Sequence, residues 1–234
     1  MKCLFVIPLL FILNWNAQSF AQQIEKIGDI ESCVVAICSD KPDTKNILGT
    51  GFIASRYGIV VTADHVIFDE IREKVHRNLF CGWPTYPEPL WFRLSVTKRF
   101  KQGVKGRDIA LLRIISDGRV SSFPFLEIGD EFEIGDPVLI AGFPHVFGKI
   151  YHWPLFRKGI IASTAYKYQD NRVIVLDLPS VDGYSGSPVF NLEKRKVVAI
   201  IKGGSAQRKG TGFSVAVVID KNDLQNRAAI EGPR

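Results

Sequence analysis

The sequence predicts an all-β protein, and two observations point that way. Short runs of β-branched and aromatic residues recur along the 234 residues, separated by Gly, Pro, Asp and Asn, the pattern of a sandwich or barrel of many short strands. Hardly any stretch keeps a helical period long enough to pack as a helix. The expected strands, in order, are 33–38, 48–54, 58–62, 90–96, 109–114, 138–142, 159–164, 173–178, 187–190, 197–201 and 212–219. Two segments read as helical: 69–77, where Ile71 and Val75 stand four apart, and the tail 222–230. Two loops, 77–89 and 145–156, mix prolines with aromatics; they either hold an extended peptide near a cleft or pack against the fold. No internal repeat and no low-complexity segment is visible.

The N-terminus reads as an export signal. Lys2 supplies a positive start, residues 4–13 are almost wholly apolar, and Ser19-Phe20-Ala21 offers small residues at the cleavage-determining positions, so cleavage is expected after Ala21. The apolar run is short for a membrane span, and no later uncharged stretch of about 18 to 20 residues exists, which predicts no stable span after cleavage. Residues 22–234 then suit a single unit that is secreted or periplasmic.

Losing Lys2 lowers the formal charge from +6 to +5, and the basic residues are scattered, as in Arg113, Lys149, Arg157, Lys158 and Arg208. That distribution describes a solvated surface, with no nucleic-acid partner expected. Cys3 leaves with the signal. Cys33 and Cys38 lie on one strand, where a five-residue step spans about 16 Å and reverses the face, so they do not bond to each other. Either pairs with Cys81, or all three stay reduced and packed. Such sparse cysteine use suggests a bacterial exported protein. His145 and His152 stand seven apart with no partner cysteines or carboxylate pair, and no metal or cofactor is expected.

Three motifs carry chemistry. Asp182-Gly183-Tyr184-Ser185-Gly186-Ser187-Pro188 sets a serine among small residues in a turn before an apolar strand, with backbone N–H groups able to face a developing oxyanion. Gly58-Ile-Val-Val-Thr-Ala-Asp64-His65-Val66 ends a β-branched strand directly before a histidine, the side chain suited to proton transfer near neutral pH. Arg107-Asp108-Ile-Ala-Leu-Leu112 puts a carboxylate at the mouth of another strand. Asp64 is a rival orienter of His65, but adjacent side chains at a strand end point to opposite faces, which favours Asp108. The order His65, Asp108, Ser185 is that of chymotrypsin-type triads rather than of subtilisins or α/β-hydrolases.

At these residues the chain resembles the trypsin-like serine peptidases, within their short bacterial branches. Gly183-Tyr-Ser-Gly-Ser-Pro-Val-Phe-Asn191 and Val197-Val-Ala-Ile-Ile-Lys-Gly-Gly204 are similar to the glutamyl endopeptidases. Gly49-Thr-Gly-Phe-Ile53, Val61-Thr-Ala-Asp-His65 and Asp108-Ile-Ala-Leu-Leu112 are similar to HtrA-type protease domains. The resemblance implies two antiparallel six-stranded Greek-key barrels, about 30–125 and 126–220, with the active site in the cleft between them. His65 and Asp108 come from the first barrel and Ser185 from the second. Too little chain follows Val215 for the PDZ module of many HtrA-type enzymes.

The resemblance further places the oxyanion hole at the N–H groups of Gly183 and Ser185. It lines the primary pocket with Ser180, Ile201, Lys202, Gly203 and Gly204, and sets Phe213 near its base. Two departures stand out. Pro179 replaces the acid of Lys/Arg-specific enzymes and Ile201 the histidine of glutamyl endopeptidases, so small or medium apolar residues are the expected specificity. Lys202 either faces that pocket or pairs with Asp108. Tyr184 stands where digestive enzymes carry an activating aspartate; its ring either covers the nucleophile in a resting state or projects away. The function expected is an exported serine endopeptidase acting on protein or peptide through an acyl-enzyme. The alternative is a catalytically silent binding protein on the same barrels.

Overall fold

The computed structural model describes residues 27–69, 71–85, 87–101, 107–118, 120–146, 149–150, 153–164, 167–168, 171–203 and 212–220. β1 (Val34–Ser39), β2 (Ile47–Ile53), β3 (Ile59–Thr62), β4 (Leu79–Trp83), β5 (Leu90–Phe100) and β6 (Ile109–Ile115) form a closed antiparallel barrel. Its ring order is β1-β2-β3-β6-β5-β4. β1 and β3 are rich in β-branched residues and buried at every position. Phe52, Ile37, Ile53, Leu111 and Leu112 belong to one buried apolar cluster. Phe123 closes one side, its ring meeting Trp83 and Phe92 edge-on at 5.7 and 5.6 Å between centroids.

The second barrel is built from β7 (Pro137–Gly142), β8 (Leu155–Ser163), β9 (Asn171–Leu176), β10 (Pro188–Asn191), β11 (Lys196–Gly203) and β12 (Ser214–Val218). A pairing of β8 with β9 closes it, giving the ring β7-β8-β9-β12-β11-β10. Strand for strand this is the order of the first barrel, although no sequence repeat announces it. The fold is thus all-β with two six-stranded antiparallel barrels. Closure pairs both edges of each six-stranded ring, so neither barrel offers a long open edge.

The connecting segment bonds to both barrels. Leu126 N–H donates to the Ile53 carbonyl (2.9 Å) on one side, while Gly129 N–H reaches Val197 O (2.9 Å) on the other. Among the described residues, no helix is long and apolar enough to cross a membrane.

Three expectations need correction. The segment 69–77 is not helical: Phe68–Asp69 pairs with Lys74–Val75 as a small hairpin, and Ile71, half of the apparent helical period, is 96% exposed. The loop 77–89 contains β4, whose pairing with β1 closes the first barrel. The loop 145–156 contains the paired strands His145–Val146 and Lys149–Ile150 and the start of β8. The tail 222–230 lies outside the described residues.

Cys33, Cys38 and Cys81 are all free and buried, which selects the reduced alternative. Cys81 lies opposite Ile37 and Cys38 opposite Phe80, so the side chains of Cys38 and Cys81 leave the sheet on opposite faces. Burial pushes the Cys33 thiol up from 9.0 to about 12 and Cys38 to about 11, and raises Cys81 further. Folding therefore holds these thiols neutral. The associated stability is fully present below pH 9.0 and is lost as pH climbs toward about 11 and 12. Iodoacetamide at pH 8, mapped by mass spectrometry, is expected to leave all three cysteines unmodified in the native protein and to modify them in urea. Rapid native labelling of Cys33 or Cys38 would contradict this packing.

Candidate active site

β3 ends at Thr62, and the chain enters a single helical turn, Asp64–Ile67. Consecutive side chains on a helix diverge by about 100°, and Asp64 and His65 accordingly find different partners. The Asp64 carboxylate is gripped by Arg99 through Nε (2.5 Å) and Nη2 (2.8 Å), with the guanidinium 4.4 Å above the Phe68 ring. Two parallel charge-assisted bonds make this a strong pair. His65 turns the other way. Its backbone N–H donates to Asp108 Oδ1 (3.0 Å), and its Nδ1 lies 2.9 and 3.1 Å from Oδ2 and Oδ1. Asp108 is 1% exposed and opens β6 at φ 52°, a conformation aspartate tolerates better than most residues. A carboxylate against Nδ1 assigns the proton there and leaves Nε2 with its lone pair.

Ser185 sits in the turn before β10, half-buried. Four consecutive peptide groups of that turn are fixed in alternation. The Asp182 carbonyl accepts from His145 N–H (2.9 Å) and the Tyr184 carbonyl from Ser187 N–H (2.9 Å). Between them, the Gly183 carbonyl accepts from Thr50 Oγ1 (2.7 Å) and the Ser185 carbonyl from Thr50 N–H (2.8 Å). Tyr184 and Gly186 donate to Val181 O (3.1 Å) and Ile201 O (2.8 Å). What remains are the N–H groups of Gly183 and Ser185, which have no acceptor among the described residues. In a trans peptide the N–H points opposite to its carbonyl, so fixing the Asp182 and Tyr184 carbonyls fixes the direction of both free N–H groups.

Two glycines permit this turn. Gly183 and Gly186 sit at φ 96° and 82°. A Cβ on Gly186 would strike the Thr50 carbonyl and Thr62 Oγ1, and one on Gly183 would strike the Phe143 carbonyl. Tyr184 is 2% exposed, in the core of the second barrel with Ile140, Leu176 and Val189, and its hydroxyl donates to the Leu155 carbonyl (3.3 Å). Burial raises its pKa, against an opposing pull from Arg157. The ring projects away from Ser185 and anchors the turn.

Thr50 was not singled out by sequence reasoning, although it lies in a quoted motif. A hydroxyl between Gly49 and Gly51 in an otherwise apolar strand was the available signal. Its Oγ1 also accepts from Phe143 N–H (3.0 Å), and its carbonyl accepts from Thr62 Oγ1 (2.6 Å). Arg99 was missed too, and its distance of 35 residues from Asp64 left no local sign.

The expected pocket residues are dispersed in burial. Ser180 is half-buried, and its hydroxyl oxygen is enclosed without a hydrogen-bond partner among the described residues. Ile201 is fully buried in the second core, and its backbone pairs with Gly186 and Ser187. Lys202 is half-buried on β11, Gly203 ends that strand, and Phe213 is 49% exposed. The Pro179 carbonyl accepts from Arg157 Nη1 (2.6 Å). Gly204 lies outside the described residues.

Residues 49–200 match the family model described as a trypsin-like peptidase domain. The chain belongs to the trypsin-like peptidases. Probable periplasmic serine endoproteases of the DegP-like kind are similar in sequence: one from Pseudomonas putida is 27% identical over 82% of this chain, and one from Rickettsia conorii is 31% identical over 64%. The chain spans only 37% and 27% of those proteins' lengths. Two solved structures share the fold. The MamO protease domain from Magnetospirillum magneticum is 17% identical with TM-score 0.63, over 84% of this chain and 95% of that one. The serine endoprotease from Yersinia pestis is 20% identical with TM-score 0.61, over 89% of this chain and 66% of that one.

Gly186 tests how tightly the turn is held. Gly186→Ala is expected to destabilise the protein by about 3 kcal/mol or more, since it combines backbone strain with backbone collision. Gly118→Ala, at φ 87° in open space, is the control, with an expected cost of about 1 kcal/mol. Urea midpoints measure both, and equal shifts would show that the turn yields freely.

Proposed function

We propose that this trypsin-like peptidase is an exported serine endopeptidase in which Ser185 is the nucleophile, His65 the general base and Asp108 its orienter. The observation that carries this is the pairing of a buried Asp108 with His65 Nδ1, which leaves Nε2 to take a proton, together with the two unengaged N–H groups of Gly183 and Ser185 in the serine's own turn. Ser185 Oγ attacks the substrate carbonyl carbon as its proton passes to His65 Nε2. The carbonyl oxygen, now an oxyanion, accepts from Gly183 and Ser185 N–H, an interaction worth about 2.7 to 4 kcal/mol per donor. His65 returns the proton to the leaving amine as the C–N bond breaks. Water then repeats the sequence on the acyl-enzyme and releases the acid.

The specificity we propose is for small or medium apolar residues. Pro179 leaves no acid six residues before Ser185, and Ile201 contributes an aliphatic side chain rather than an imidazole. An apolar pocket excludes charge by desolvation but separates aliphatic residues by only about 1 to 3 kcal/mol per methylene. Digestion of a proteome-derived peptide library is expected to give cleavage spread over aliphatic residues, sparse after Arg and Asp, and absent with Ser185→Ala or His65→Ala. Wild-type-like cleavage by Ser185→Ala would remove the nucleophile assignment. Cleavage dominated by acidic residues and lost in Lys202→Ala would reverse the specificity.

Export is supported by the Lys2-led apolar N-terminus and by relatives named as periplasmic. Mass spectrometry of protein recovered outside the cytoplasm is expected to find Gln22 at the N-terminus. An intact Met1 there would refute the signal reading.

A further inference from the structure

We propose that Thr50 is a positioning residue for the oxyanion-binding groups: the first barrel, through this one residue, fixes the geometry of the second barrel's serine turn. The inference rests on Ser185 being the nucleophile. It concerns the backbone of the serine turn rather than the His65–Asp108 pair.

Within the alternating turn, the peptides that carry the free N–H groups, 182–183 and 184–185, are held by bonds from within the second barrel, from His145 and Ser187. The peptides between and after them, 183–184 and 185–186, have their carbonyls held by Thr50, one by the side chain and one by the backbone. Rotation of peptide 183–184 would carry its neighbours with it. The direction of the Gly183 and Ser185 N–H groups therefore depends on Thr50 as much as on the turn's own bonds.

Thr50 is suited to this role by burial and by its own restraint. It is 0% exposed, and its hydroxyl is engaged both ways, donating to Gly183 O and accepting from Phe143 N–H. Its carbonyl is fixed by Thr62, two residues before the helical turn that carries His65. One residue thus links β3, the end of β7 and the serine turn. The approach is close. A Cβ on the preceding Gly49 would lie 2.9 Å from the Ser185 carbonyl, and one on Gly142 would lie 2.8 Å from Thr50 Oγ1 and 2.9 Å from the Tyr184 ring. Small residues surround the hydroxyl on both sides of the seam, so no larger group can stand in for it.

Removing the hydroxyl strands two buried groups, the Gly183 carbonyl and the Phe143 N–H. Thr50→Val keeps the shape and deletes the bonds; Thr50→Ser keeps the bonds and loses a methyl. For Thr50→Val, kcat is expected to fall about 10- to 100-fold, a partial loss of the effect of deleting an oxyanion donor. KM should stay within about twofold, because a group acting on the developing oxyanion moves kcat rather than ground-state binding. The pH profile should be unchanged, since the His65–Asp108 pair is untouched. Thr50→Ser should retain kcat within about threefold of wild type. Hydrogen exchange, read in parallel, should rise in Thr50→Val for peptides covering Phe143 and 183–187, and stay level in β4. If Thr50→Val does not fold, Thr50→Ser against Thr50→Cys makes the same comparison at smaller volume. Wild-type kcat in Thr50→Val, or equal loss in Thr50→Ser, overturns the inference. Should the wild-type enzyme cleave nothing, the endopeptidase reading fails on its own, and the exchange data still decide whether Thr50 holds the turn.

Discussion

A turn that presents two N–H groups to a ligand must leave both without internal partners, and buried backbone rarely tolerates that. The tension is resolved here by satisfying everything else. Every carbonyl from Asp182 to Ser185 is engaged, as are the N–H groups of Tyr184 and Gly186, so the two free donors cannot relax by finding partners of their own. Much of the surrounding structure follows from this constraint. Gly183 and Gly186 are needed because the alternation requires positive φ, Gly142 because the seam leaves no room for a Cβ, and Tyr184 because one side of the turn needs an apolar anchor.

The matching strand order of the two barrels explains why such a turn sits between them. A closed barrel uses its backbone groups in its own ring, so each barrel's interior is committed to packing. Polar chemistry is left to the ends of strands and to the seam. His65 follows β3, Asp108 precedes β6 and Ser185 precedes β10, so all three leave the rigid scaffold at points where backbone pairing stops. The clamp of Arg99 on Asp64 belongs to the same arrangement. It fixes the first residue of the helical turn and so holds the second, His65, against Asp108.

Much of this was legible in the sequence because it depends on local pattern. Runs such as Ile59-Val-Val-Thr62 and Val197-Val-Ala-Ile200 have no other comfortable conformation, and the chemistry-bearing residues stand at their ends. β4 escaped because Asn78, Gly82 and Pro84 surround it with turn signals, while its stability comes from β1 and β5, outside any local window. The spacing of Ile71 and Val75 imitated a helix in a segment where Val75 packs against the core but Ile71 is exposed. In the structure Asp108 lies against His65 and Asp64 against Arg99, and a helical turn rather than the expected strand alternation separates the two partners. Thr50 was out of reach: its partners lie 93 and 133 residues away, and no local period encodes a bond that forms only when two barrels meet.

That Thr50 comes from β2 while the serine turn also hangs on Ile201 has a consequence for assembly. A chain made from its N-terminus presents Thr50 early and Ile201 late, so the elements that hold the serine turn come together only after about six-sevenths of the sequence exists. Domains tend to fold as units during synthesis, and a first barrel that closes alone contains His65 and Asp108 but not the turn of Ser185. The full set of His65, Asp108 and the Ser185 turn is thus the last arrangement the chain acquires, and the endopeptidase activity proposed above would be absent from a truncated or stalled product.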